Sequence, residues 1–197
     1  ATLRVFPEPG AVEAALVGCG LLDAAVPSGS IELPVDVLRR QGRTHEFDTE
    51  TDRYPNHYDH LMRSLAELPG LADLADLVFE EIPPPDDGDA PIHPEQLADC
   101  YVLRVWDGDR CWEIEAGDAS DWYDVPAVVG LLNTVCRDRS VPHRFVELPS
   151  LSQTTILLAG PAEAITRAIA EGSLSVVSPG TAGMSGRAFE DHVLSQF

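Results

Sequence analysis

The sequence predicts an α+β fold, and three observations carry that expectation. Two strand-like runs flank an Asp-Gly pair at residues 107 and 108, a capped amphipathic helix follows them, and apolar residues before position 82 recur mostly at helical spacing. The order they imply is a mainly helical region at 1–82, a Pro/Asp-rich linker or surface loop at 83–95, an α+β region at 96–178, and a Gly-rich loop with a terminal helix at 179–197. The second half should build an antiparallel sheet of about four strands in ββαββα order, with the helices packed on one face. A single compact domain could hold all four segments.

Taken in order, Leu3 to Phe6 reads as a short strand and Gly10 to Leu22 as a helix, with Val12, Ala15, Leu16 and Cys19 on one face. Gly42 to Asn56 is polar and reads as a loop. Helical stretches are expected at about 56 to 68 and 71 to 79, separated by the stop signal Pro69-Gly70. Five prolines and a run of acids between Pro83 and Glu95 leave no regular pattern there.

From Tyr101 the character changes. "YVLRVW" and "CWEIEA" alternate as strands do, and Asp107-Gly108 between them favours a tight hairpin. Trp112 and Ile114 should face one side of the second strand, Glu113 and Glu115 the other. Asp124 can cap a helix with Pro126 in its first turn and Val128, Val129, Leu132, Val135 and Cys136 as its apolar stripe. "HRFVEL" and "TTILLA" follow as strands, then a helix opened by Pro161 and closed by Gly172, and a further strand at Leu174 to Val177. Arg187 to Gln196 can form the terminal helix, with Phe189, Val193 and Leu194 as its apolar side.

Charge is the strongest global signal. The 197 residues include 33 acidic and 13 basic ones, all of the latter arginine, for a formal net charge of −20. Such a field repels nucleic acid and anionic membrane and favours a basic protein partner. No stretch approaches the roughly 18 apolar residues of a membrane span, and the opening "ATLRVFPEPG" lacks signal-peptide character, so a cytoplasmic location is the expectation. Cys19, Cys100, Cys111 and Cys136 are widely spaced, which suits isolated thiols better than disulfides or a Cys-x-x-Cys metal site.

Three stretches could carry chemistry. In "PNHYDH", Asn56 is placed to cap a helix and Asp59 to complement its positive end, while His57 and His60 fall on one face. Those two histidines could hold zinc or another divalent metal with a third ligand, for which Glu67 is the first candidate and His45, Asp48 and Asp52 are the others nearby. "SPGTAGMSGR" (178–187) has strand-to-helix context but neither a dinucleotide nor a phosphate-loop spacing, and Ser185 lacks the second glycine of a nucleophile elbow. The acids Asp107, Asp109, Glu113, Glu115, Asp118, Asp121 and Asp124 accompany Trp106, Trp112 and Trp122. Tryptophans ringed by carboxylates make a docking surface for a basic protein, and Trp106, Asp109, Glu113, Glu115, Asp118, Asp121 and Trp122 are the residues expected to form it. His93, His143 and Arg144 have no visible catalytic companion, and Cys136 on an apolar stripe reads as an inert thiol rather than a partner of His143.

No catalytic motif is complete, so a non-enzymatic role is the first expectation. At the level of class only, the chain looks like the small acidic immunity or inhibitor proteins that neutralise basic partners. The alternative is a metal-dependent hydrolase with His57 and His60 as ligands.

Overall fold

The computed structural model describes residues 8–24, 30–85, 100–117, 121–150 and 152–177. The strand expected at Leu3–Phe6, the linker from residue 86 onward with His93, Asp118, the glycine-rich stretch and the terminal helix lie outside the described residues.

The class is α+β, but the arrangement differs from the expected one. Among the described residues, five α-helices and two three-stranded antiparallel sheets replace a helical half followed by one four-stranded sheet. In chain order they are α1 (Ala11–Gly18), α2 (Pro34–Arg40), β1 (Thr44–Asp48), α3 (Tyr58–Ala66), β2 (Val78–Ile82), β3 (Tyr101–Asp107), β4 (Arg110–Ala116), α4 (Val125–Asp138), β5 (His143–Leu148), β6 (Thr154–Pro161) and α5 (Ala162–Ala170). One sheet has the order β1-β6-β5 and the other β2-β3-β4. Each therefore joins strands from both sides of residues 86–99.

Two corrections have physical causes. The polar stretch expected as a loop contains β1, an edge strand in which only alternate residues need to be apolar. Phe47 lies beside Thr155 of β6 and packs on the main core, while Glu46, opposite Ile156 on the other face, pairs with Arg39 at 2.8 Å. The helix expected at 71 to 79 is reduced to a 3₁₀ turn at Ala72–Leu74, and Val78 and Phe79 belong to β2. Pairing with the apolar β3 and the Pro83-Pro84 stop outweigh a short helical pattern. Leu174 to Val177 forms no strand, although Val177 N donates to Glu147 O at 2.9 Å.

The β3–β4 hairpin follows its alternation. The turn lies one residue later than the expected Asp107-Gly108: Asp107 pairs with Arg110, so the turn residues are Gly108 and Asp109, and Gly108 takes a φ of 56°, as the first position of a type II′ turn requires. Trp112 is buried and Glu113 and Glu115 are exposed on the opposite face. Asp124 caps α4 by accepting from Ala127 N at 3.0 Å.

Two cores result. The larger lies between the sheets and holds Tyr58, Met62 and Leu65 of α3, Val128, Leu132 and Val135 of α4, Leu103 and Val105 of β3, and Phe145 and Leu157 of the other sheet. The smaller packs Val12 and Leu16 of α1, Val37 and Leu38 of α2, and Ile165 and Ala168 of α5 on the opposite face of that second sheet, against Ile156 and Leu158. Helices therefore cover both faces of the β1-β6-β5 sheet. This explains the unbroken apolar run of β6, whose residues Thr155 to Gly160 are all buried.

A buried polar knot joins the loop before α3 to the segment before α4. Asn56 Nδ2 donates to Trp122 O at 3.0 Å, Thr51 Oγ1 donates to Asn56 Oδ1 at 2.8 Å, Tyr58 OH donates to Trp122 O at 3.3 Å, and Asp124 N donates to Tyr58 OH at 2.7 Å. Asn56 is thus fully buried and does not cap α3; His57, at φ 62° and ψ 46°, occupies the cap position. A Tyr58→Phe variant leaves the Asp124 amide without its acceptor and should lose about 1–3 kcal/mol of stability, read from urea unfolding curves.

Candidate functional site

The start of α3 and the edge strand β2 enclose a groove of about 440 Å³ lined by Pro55, His57, Asp59, Val78, Phe79, Glu80, Glu81, Pro83 and Trp106. β2 reaches it because pairing with β3 puts Glu81 beside Leu103 on the inner face and Glu80 beside Arg104 on the outer face. The groove thus wraps the strand edge. Three carboxylates, two aromatic rings and two prolines meet there.

Each carboxylate is held differently. Glu80 accepts from Trp106 Nε1 at 2.9 Å and lies 3.8 Å from Arg104, which also bonds Glu113 at 2.7 Å. Trp106 is thereby oriented by a charge-assisted bond while its ring stays half-buried. Asp59, in the first turn of α3, is favoured by the positive end of the helix. Glu81 points under the same helix end. Burial pushes its carboxyl up to about 7, opposed by the backbone N–H groups of Tyr58, His57 and Asn56 and reinforced by the nearby charge of Asp59. Its Oε1 is buried with no hydrogen-bond partner among the described residues.

His57 and His60 come together as their spacing predicts, with ring centroids 5.2 Å apart and planes 19° from parallel. The side chain that joins them is Asp59. Donor atoms of His57, Asp59 and His60 all lie within 4.8 Å of one another, and His60 Nε2 is 3.7 Å from Asp59 Oδ2. Glu67 is the C-cap of α3, about 10–15 Å away along the helix, and does not join this group. His45 lies at a tilt beside Phe47 on β1, and Asp52 belongs to a separate acidic group with Glu50 and Asp121.

The expected docking strip divides in two. Trp106, Glu113 and Glu115 share the outer face of the β2-β3-β4 sheet, with Asp109 exposed at the hairpin tip. Asp121 is remote from them in the loop beside Glu50, and Trp122 is only 5% exposed, with its carbonyl inside the polar knot. Trp112 is buried too, its Nε1 bonded to Asp138 at 2.9 Å and its ring covered by Arg110. Glu80 and Glu81 were not expected in a site. Their signal is the run Val78-Phe79 to Ile82 closed by Pro83, which is strand-like once the preceding turn is discounted.

Because folded Glu81 holds its proton to about pH 7 while the unfolded chain releases it near 4.5, the folded state binds more protons between those values. Stability is therefore fully present below that window and falls as pH rises through it. Glu81→Gln should remove this slope and be the more stable protein at about pH 8, by about 1–2 kcal/mol once solvent screening is allowed for, as urea midpoints at about pH 5 and 8 would show. No helix among the described residues is long and apolar enough to cross a membrane. No family model matches the chain, and neither a curated protein nor a solved structure matches it.

Proposed function

We propose that the protein is a binding module for a basic protein partner, and that the groove beside β2 receives an arginine or lysine side chain of that partner. The observation that carries this reading is the convergence of Asp59, Glu80 and Glu81 with the rings of Trp106 and Phe79 in one concave site. A guanidinium entering it meets carboxylates for paired hydrogen bonds and an aromatic face for a cation–π contact. Glu113 and Glu115 extend the negative surface across the sheet, and the net charge of −20 adds long-range attraction.

Such a protein acts by occlusion. Its carboxylates engage the arginines or lysines of the partner while its body covers the surrounding surface, which is how an inhibitor or immunity-type protein neutralises a basic active site. The hydrolase alternative, with His57 and His60 as ligands, needs a third ligand, and Glu67, one candidate for it, stands at the other end of α3.

An arginine-glycine repeat peptide tests the reading by calorimetry. Binding should weaken by about tenfold between low and physiological salt, and Trp106→Ala or Glu80→Gln should weaken it by a further factor of about ten or more. Asp121→Asn, remote from the groove, should leave it within about twofold. Equal losses in all three variants would reduce the effect to diffuse acidity and overturn the groove as the site.

A further inference from the structure

We propose that His57, Asp59 and His60 form a binding site for a first-row divalent transition metal, zinc in the first instance, at the rim of this groove. The inference does not rest on the partner-binding reading. Two imidazoles and one carboxylate are a donor set suited to zinc, cobalt or nickel, whereas calcium and magnesium take oxygen ligands.

The geometry is close to what such an ion requires. Bond lengths near 2.0–2.2 Å around a tetrahedral zinc put donor atoms about 3.4 Å apart. His60 Nε2 and Asp59 Oδ2 are already 3.7 Å apart, and the whole triad lies within 4.8 Å. Small rotamer changes close the difference, and the freedom for them exists because the His60 side chain is 74% exposed. His57 is held by the backbone instead, since the polar knot at Asn56 and Tyr58 sets the chain on both sides of it.

The positive end of α3 opposes a cation here, and the Asp59 carboxylate offsets it. Asp59 is a ligand, and Glu81 and Glu80 line the same groove. Three protein donors leave one tetrahedral position open, where water can enter. The all-oxygen group of Glu50, Asp52 and Asp121 has comparable spacing without imidazole and provides an internal comparison.

The full chain, without an affinity tag and stripped by chelator dialysis, would be titrated with zinc by calorimetry and with cobalt(II) by visible absorption. About one equivalent should bind at micromolar affinity, with cobalt bands of the intensity expected for tetrahedral coordination. His60→Ala, Asp59→Asn and His57→Asn should each weaken binding by at least about tenfold and remove the cobalt bands. Asparagine suits position 57 because it tolerates the left-handed backbone found there. His60 is exposed enough for its variant to keep the fold, which circular dichroism would verify. Glu67→Gln and Glu50→Gln should bind as the parent does. Absence of micromolar binding, or binding that survives His60→Ala and Asp59→Asn, would overturn the proposal.

Discussion

Everything distinctive in this molecule depends on one buried carbonyl. The oxygen of Trp122 would be left without water by the closing of the main core, and Asn56 and Tyr58 supply its hydrogen bonds. A buried peptide group left unpaired is costly, so the two chain segments that meet there have little freedom to separate. The loop after β1 is thereby fixed to the segment leading into α4. With Thr51 N donating to Asp121 O and Tyr123 N donating to Thr49 O, the two sheets are joined by polar contacts as well as by packing.

From that constraint the groove follows. Asn56 is withdrawn into the interior, so α3 must begin one residue later, with His57 in a left-handed conformation. Its imidazole is then set beside that of His60 on the outer border of the helix. Tyr58, the next residue, turns inward against Tyr101 and Tyr123. β2 passes under the amides at this helix start, and a glutamate is the residue that lies there. A carboxylate below a helix end is stabilised by the amides and destabilised by burial, and at Glu81 burial prevails. Such a residue adds little to folding.

The hairpin and α4 were legible because each carries two agreeing signals. Alternation and a glycine turn mark the first, and an aspartate cap with an apolar stripe marks the second. β1 and β2 were not, because "THEFD" and "VFEEI" contain acids that only tertiary context explains. Glu46 pairs with Arg39, Glu80 with Trp106 and Arg104, and Glu81 lies under α3. α2 had a readable start in Pro34 and a readable end in Arg39 and Arg40, yet seven residues offer too few turns for periodicity to register. In the site, the two histidines were visible by spacing. Asp59 was visible too, but a role at the helix end hid its place between them. The residues of β2 could not be joined to α3 from sequence, since nothing local encodes which helix a strand edge will meet.

The interleaving of strands also governs how the chain comes into being. β2 is completed before its partner β3, and β1 before β6, which lies near the far end of the described chain. During synthesis two strand edges therefore wait, and the β1–β6 ladder is the last to close. Pairing across so much intervening sequence makes folding slow for a protein of this size, and a waiting edge invites pairing with another chain. A net charge of −20 opposes that encounter, since nascent copies repel one another while their sheets are still open. The acidity that draws a basic partner to the finished protein thus also protects the unfinished one from its own kind.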